Sequence, residues 1–499
     1  MNQQPQAHAD TGIDTRRWVA LVVLCAGFLM IILDQTIVNV ALPSIQNDLH
    51  FSQSNLAWVV NAYLIAFGGL LLLVGRLGDL IGRRRIFLAG LTVFTSASFV
   101  CGLADSQALL IAARFVQGIG GAMTAAVILG MIVTMFPKPS EQAKAIGIYS
   151  FVAAAGGAIG LLAGGVLTQA INWHWIFFVN LPIGIATGFF ATRLLPSDQG
   201  IGLQAGADAP GAVLLVSALM LAVYTIVEAS QYAWLSAHTI GFGALAVLLL
   251  GAFVVRQARA ANPLMPLRVF ESRTVTVANL IQVLMVAGLF GMFFLGALYL
   301  QRVLRYDAVE VGLAFLPVAL GIAALSLRFA AQLMMRFGSR PTLIAGLSLM
   351  AAGLVLFRGA PVNASYVSDL LPVMVLLGVG AGLAFPALMT LAMSAATPED
   401  SGLASGLVNT TQQVGGALGL AVLATLSTTR TGHLRAHGDS ISNALTGGYH
   451  LAFTIGAGLV LVAIAAAVFL LRPEEQPDVA AEREPASLHQ PDLAYEEAA

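Results

Sequence analysis

The run Gly75-Arg76-Leu77-Gly78-Asp79-Leu80-Ile81-Gly82-Arg83-Arg84-Arg85 lies between two long apolar stretches and packs three glycines, one carboxylate and four arginines into eleven residues. It predicts a tight link between two membrane helices. Glycines permit close backbone approach and positive φ. The arginines hold such a link on the cytoplasmic side of a bilayer. Asp79 stands where it can meet a helix N-terminus or a guanidinium. A basic loop that only fixed topology would account for the arginines but not for the glycine and aspartate spacing. Gly75, Asp79, Gly82, Arg83 and Arg84 are therefore expected to form a tight cytoplasmic link, for which a gating role is implied only by the resemblance given below.

Composition points the same way. Of 499 residues, 58% are hydrophobic and only 10% are charged, with a mean hydropathy of +0.85. A water-soluble domain of this size could not carry that surface, so the chain reads as a polytopic, all-α integral membrane protein. A net charge of −1 gives no bias toward nucleic acid. Cys25 and Cys101 both fall in apolar stretches and imply no disulfide framework. The eight histidines are scattered, without a His-Glu-x-x-His pair, and no phosphate-binding Gly-x-x-x-x-Gly-Lys-Ser/Thr loop is present. The expectations are no metal, no cofactor and no enzyme activity, with an ion gradient as the energy source. Two lysines against 22 arginines point to a GC-rich prokaryote and hence to a bacterial inner membrane.

A helix needs about 20 apolar residues to cross a bilayer, and fourteen stretches qualify. Six fall near 18–40, 55–74, 86–104, 107–134, 144–168 and 174–195. Two follow near 210–229 and 237–257, then six more near 275–300, 309–330, 341–358, 369–395, 403–427 and 449–471. With both termini inside, the cytoplasmic loops and tails together with the adjoining ends of the spans hold 18 of the 24 Lys and Arg, while Arg114 lies deeper within a span. Internal echoes divide the chain. Gly156-Gly157-Ala158-Ile159-Gly160-Leu161 returns as Gly415-Gly416-Ala417-Leu418-Gly419-Leu420, and Gly118-Ile119-Gly120 as Gly378-Val379-Gly380. Leu77 to Arg84 returns as Leu333-Met334-Met335-Arg336-Phe337-Gly338-Ser339-Arg340, with Met335 in the place of Asp79. The simplest organisation has two six-helix halves, 17–200 and 263–472, around an inserted helix pair at 201–262. Residues 1–16 form a polar cytoplasmic tail, and 473–499, with eight carboxylates, an acidic disordered one.

Few residues carry chemistry inside the spans. Asp34 ranks first, because an ionised side chain at that depth costs about 2.5–3.5 kcal/mol on insertion scales and marks a proton or ion pathway. It must face a water-filled cavity or a partner. Arg114 does not deprotonate, so it is expected to bias a neighbouring carboxylate or hold a polar contact. Gln117, one turn on, shares its face. Gly156, Gly160, Gly164 and Gly165 present a bare face on which a neighbouring helix can approach and slide. Candidates for a cavity lining are Asn39, Trp58, Asn61, Tyr63, Asn409, Gln412 and Gln413, with Phe67, Phe290, Phe293 and Phe294. Glu228 reads as a snorkelling interfacial carboxylate.

Together these segments resemble the fourteen-span drug:proton antiporter family of the major facilitator superfamily. The resemblance covers roughly residues 17–471. It rests on Leu33 to Pro43, on Gly75 to Arg85, on Arg114-Phe115-Val116-Gln117-Gly118, on the glycine ladder, and on Trp173 to Gly184. It implies the major facilitator fold and alternating access. Asp34 would then serve proton coupling or cation recognition, Arg114 would support proton transfer, and Asp79 with the arginines would latch the cytoplasmic side. Two positions depart from the pattern. Leu161 stands where exchangers of the family carry a proline, and Leu80 where a basic residue is common. The function expected is export of a hydrophobic, cationic drug or antibiotic against protons across the bilayer. An accessory protein is left open, and the alternatives are a proton-coupled importer of a small solute or a transporter-like receptor.

Overall fold

The computed structural model describes residues 10–200, 202, 206–265, 267–394 and 401–471. The acidic tail expected at 473–499 lies outside them. Among the described residues every regular element is helical. The first group comprises α1 (Asp10–Asp48), α2 (Trp58–Ile81), α3 (Arg83–Gly102), α4 (Gln107–Met135), α5 (Pro139–Ala170), α6 (Trp175–Phe178) and α7 (Asn180–Leu194). Then come α8 (Ala209–Tyr232) and α9 (Ala237–Arg259). The last group is α10 (Arg273–Arg302), α11 (Ala308–Ala324), α12 (Ala330–Phe337), α13 (Ser339–Phe357), α14 (Leu371–Met393), α15 (Ser401–Ala436) and α16 (Ile441–Phe469). Among the described residues, eleven helices are long and apolar enough to cross a membrane. All fourteen expected spans fall largely on helix. The sixth is divided between α6 and α7, and the tenth is interrupted by a π-helical turn, Leu325–Phe329, before it continues as α12.

Two boundaries differ from the sequence reading. Residues 10–16, expected in a polar tail, belong to α1. The supposed link at 75–85 is almost entirely helix, with Gly82 the single residue between α2 and α3. Leucine and arginine are good helix formers, so only the residue that must turn leaves the helix. Gly82 does so at φ +112°, and Gly338, its echo between α12 and α13, at φ +88°. An L side chain rarely adopts such a backbone.

The two groups pair their helices in one pattern. In the first, α1 packs on α5 and α7, α2 on α4, and α3 on α4 and α7. In the second, α10 packs on α15 and α16, α11 on α14, and α13 on α14 and α16. The groups meet through α5 against α11 and α2 against α15. Helix α8 leans on both α2 and α15, and α9 packs on α8. Few residues of α9 are buried, and Ile240, Leu245, Val247 and Leu248 are exposed on it. That surface suits lipid rather than water.

Gly82 and Gly338 mark one end of the bundle. At the opposite end the groups are tied together. Gln169 Nε2 donates to Asp307 Oδ2 at 3.0 Å, Gln301 Nε2 donates to the Val40 carbonyl at 2.8 Å, and Arg302 meets Gln46. Asp307 also caps α11 by accepting from the Glu310 N–H at 2.8 Å. That N–H first, and then Gln169, hold its carboxyl below the usual carboxylate range. Halfway along, Thr410 Oγ1 donates to the Gly68 carbonyl at 3.1 Å.

Candidate functional site

Asp34 sits at the centre of α1 and is fully buried. Its Oδ2 accepts from Arg114 Nη1 at 2.6 Å, and its Oδ1 from Gln117 Nε2 at 2.8 Å and Asn180 Nδ2 at 3.1 Å. Helices α1, α4 and α7 thus converge on one carboxylate. Arg114 Nη1 also donates to Gln117 Oε1 at 2.7 Å, and its Nε to the Val59 carbonyl at 3.0 Å. The guanidinium lies 4.4 Å from the centre of the Tyr63 ring, a cation–π distance. Asn180 continues to Ser98 Oγ at 3.0 Å, and Ser98 donates to the Phe177 carbonyl at 2.8 Å. The charges cancel and both carboxylate oxygens of Asp34 are hydrogen-bonded, which helps the ion pair persist out of water, while Asn180 Oδ1 and the Tyr63 hydroxyl are left without a partner.

The structure brings Asp34, Arg114 and Gln117 together and adds Asn180 and Ser98. The sequence quoted Asn180 within a motif but gave it no role. Its signal was a polar residue two positions after the run Trp175 to Phe178. Asp34 meets a partner rather than a cavity, since Arg114 and Tyr63 stand between it and the open space.

That space is a cavity of about 230 Å³ between the two groups of helices. From the first group it is lined by Gln35, Thr36, Asn39, Tyr63 and Arg114. The second group supplies Phe290, Phe293, Phe385 and Gln412. Phe385 and Gln412 are shared with a second cavity of about 520 Å³, bounded also by Gln282, Ser326, Met389 and Asn409. This second space runs toward the end marked by the two linking glycines, where Thr390 reaches Met334 of α12. Together the volumes fall in the range of drug-sized sites.

The remaining expected liners lie elsewhere. Asn61 is fully buried in α2 with both amide atoms unpaired, Trp58 packs against the core, and Phe294 is interior. Phe67 stacks on Tyr63. Gln413 faces Gly68 of α2 across the contact between groups. Gln412 and Gln413 are 100° apart on a helix, so only one of them can face the cavity. Gln35, Gln282, Ser326 and Phe385 were not singled out from the sequence. Gln282 and Ser326 were marked only as lone polar residues on apolar helices, Gln35 stood beside Asp34, and Phe385 was one aromatic among many.

The glycine ladder does two jobs. A Cβ on Gly156 would meet Leu29 and Ile32, one on Gly160 would meet Thr36 and one on Gly164 would meet Ile37, so these three seat α5 on α1 within its own group. Residues at i, i+4 and i+8 share one face, and that bare face is packed against α1 of the same half. Gly165, on another face, meets Ala308 and Val309 of α11. Leu161, in the place of the family proline, leaves α5 unbroken, and its carbonyl lies against Gly312 of α11.

Around Gly82, Asp79 Oδ1 accepts from Arg83 Nε and Nη2 at 3.1 and 2.9 Å, and Arg83 Nη1 donates to the Gly130 carbonyl at 2.9 Å. The helix N-terminus is taken by a different carboxylate. Asp198 accepts from the N–H groups of Arg83 at 2.6 Å and Arg84 at 3.1 Å. The segment after α7 folds back over the link, with Gly202 N donating to the Leu80 carbonyl at 3.0 Å and Arg76 Nε to the Gly206 carbonyl at 3.4 Å. It ends at Asp208, which caps α8 and is held by Arg256 and Gln257 of α9 at 2.5 and 2.7 Å. Desolvation opposes ionisation of Asp208, but these donors outweigh it and keep its carboxyl below the ordinary range. Gly75 lies inside α2 and approaches Ala126 of α4.

Known proteins match this arrangement. The family model described as Major Facilitator Superfamily matches residues 24–420 and 300–494. The puromycin resistance protein pur8 of Streptomyces alboniger is 40% identical over 473 residues, covering 93% of each chain. The cephamycin export protein CmcT of Amycolatopsis lactamdurans is 40% identical over 417 residues, covering 82% of this chain and 84% of its own. Among solved structures, that of the nucleoside transporter NupG superposes with a TM-score of 0.65 at 12% identity, covering 91% of this chain and 100% of that one, a likeness of fold alone. Repeated helix pairing, a cavity between the repeats and these matches agree, and the chain belongs to the Major Facilitator Superfamily.

Proposed function

We propose that this protein is a proton-driven exporter of hydrophobic drugs or antibiotics, working by alternating access. The observation that carries the reading is the closed Asp34–Arg114–Gln117–Asn180 network directly behind the wall of a drug-sized cavity shared by both halves. The far-end ties close one mouth of that cavity, and its larger part extends toward the other. Loading from the end that carries Gly82 and Gly338, the end the arginines assign to the cytoplasm, follows from that shape. Protonation of Asp34 removes the carboxylate charge that holds Arg114. The network and the cavity wall then relax together, so a proton arriving from outside is exchanged for cargo. Arg114 stays charged throughout and holds the position of the carboxylate. Relatives named for resistance and export support an outward direction, against the importer alternative. Fourteen crossings, both termini inside and a bacterial inner membrane complete the proposal.

The test is efflux of preloaded Nile red and ethidium, in parallel, from cells expressing this chain or its Asp34→Asn variant at matched membrane abundance. Efflux of either dye above the empty-cell rate, abolished by an uncoupler and by Asp34→Asn, is the expected result. Efflux that survives both treatments would overturn the coupling scheme.

A further inference from the structure

The export reading leaves the charge of the cargo open, and the cavity lining bears on it. Asp34 reaches the cavity wall only through Arg114, and it is wholly buried and engaged by Arg114, Gln117 and Asn180. Among the described residues, the charged group that does line the cavity is Arg114. A cation entering there would give up its hydration and meet the guanidinium, the positive end of the neutral Asp34–Arg114 pair, with no carboxylate among the described lining residues to receive it, in a site of low dielectric. Protonation of Asp34 would leave that guanidinium uncompensated and make the site more positive.

The remaining lining is neutral and suited to a different guest. Gln35 and Gln412 bring amides from opposite walls. Asn39 donates its Nδ2 to the Gln35 and Thr36 carbonyls of its own helix, which leaves its Oδ1 as an acceptor. Thr36 likewise spends its proton on the Ile32 and Leu33 carbonyls. Phe290, Phe293 and Phe385 supply flat apolar surface between these groups, and Met389 in the adjoining space is an adaptable filler.

Resting on the export reading, we infer that the central cavity selects uncharged, planar aromatic molecules that carry amide or hydroxyl groups, and disfavours permanent cations. Stacking surface holds the ring system, and the amides and Asn39 Oδ1 meet its polar edge. This differs from the cationic cargo to which the sequence led.

The experiment is calorimetric titration of the purified full chain in lipid nanodiscs, without any gradient, using two ligands built on the same planar phenanthridine core: neutral phenanthridin-6(5H)-one and permanently cationic ethidium. At least tenfold tighter binding of the neutral ligand is expected. Gln412→Glu places a carboxylate in the wall and should reverse the order, and Asn39→Asp serves the same purpose should the first variant fail to fold. A preference below tenfold, tighter binding of ethidium, no binding of the neutral ligand, or an order unmoved by both folded variants would each overturn the inference. Because no gradient is present, these results judge the substrate class alone, whereas loss of uncoupler-sensitive efflux would strike the export reading alone.

Discussion

At Gly82 and at Gly338 the backbone does the same thing, while the side chains around it do not. Both glycines take a positive φ between two helices. An arginine two residues on then reaches the end of the last helix of its own half: Arg84 to the Thr192 carbonyl, and Arg340 Nε to the Ala467 carbonyl at 3.1 Å. Only the first link adds the Asp79–Arg83–Gly130 chain and the Asp198 cap. In the second, Met335 stands 81% exposed where Asp79 would be. The same division runs through the membrane interior. The first half holds Asp34 and Arg114, and the second offers the neutral Gln282, Ser326 and Gln412. A duplicated fold must keep the residues its backbone path requires, but it can confine ionic chemistry to one copy.

The sharpest way to break this comparison is Asp34→Asn against Gln282→Ala. The first should lower gradient-driven efflux by about 100-fold or more, and the second by less than tenfold. Equal losses in the transport assay would erase the distinction between the halves. Arg114→Ala leaves Asp34 as a buried, unpaired charge and should destabilise the protein by about 3–5 kcal/mol, read as a large fall in melting temperature in detergent. A smaller contrast lies between the links. Gly82→Ala and Gly338→Ala each carry about 1–2 kcal/mol of left-handed strain. Gly82→Ala should melt lower of the two, because its Cβ would lie 2.8 Å from the Asp198 carbonyl. Smallest of all, Asp198→Ala should cost about 1 kcal/mol as a lost helix cap, whereas Met335→Ala should stay within about 0.5 kcal/mol of the parent.

Much of the architecture could be read from hydropathy and internal repetition, because membrane helices must be long, apolar and internally hydrogen-bonded. The echoes of Gly82 in Gly338 and of Gly120 in Gly380 even marked equivalent helices. Asp34 and Arg114 stood out because charge is expensive in lipid, but their contact, across 80 residues of chain, had no local signature. Asn180 and Gln35 were harder to find, since a single neutral amide on an apolar helix differs little from ordinary packing. The cavity wall was only half legible for a geometric reason. Neighbours such as Gln412 and Gln413 point in different directions, and the sequence does not say which faces inward. Asp198 was invisible as a cap because its partners are more than 110 residues away.

The way the segment before α8 lies across the first link bears on how the extra helix pair could be removed. Trimming residues 197–262 to produce a shorter, twelve-helix relative would look harmless on a hydropathy plot. It would also strip Asp198 from the start of α3, the Gly202 contact from Leu80, and the Gly206 carbonyl from Arg76. The segment leading into the insert is therefore stitched to the link between α2 and α3, and a workable deletion would have to keep Asp198 or bring a replacement carboxylate to the amide groups of Arg83 and Arg84.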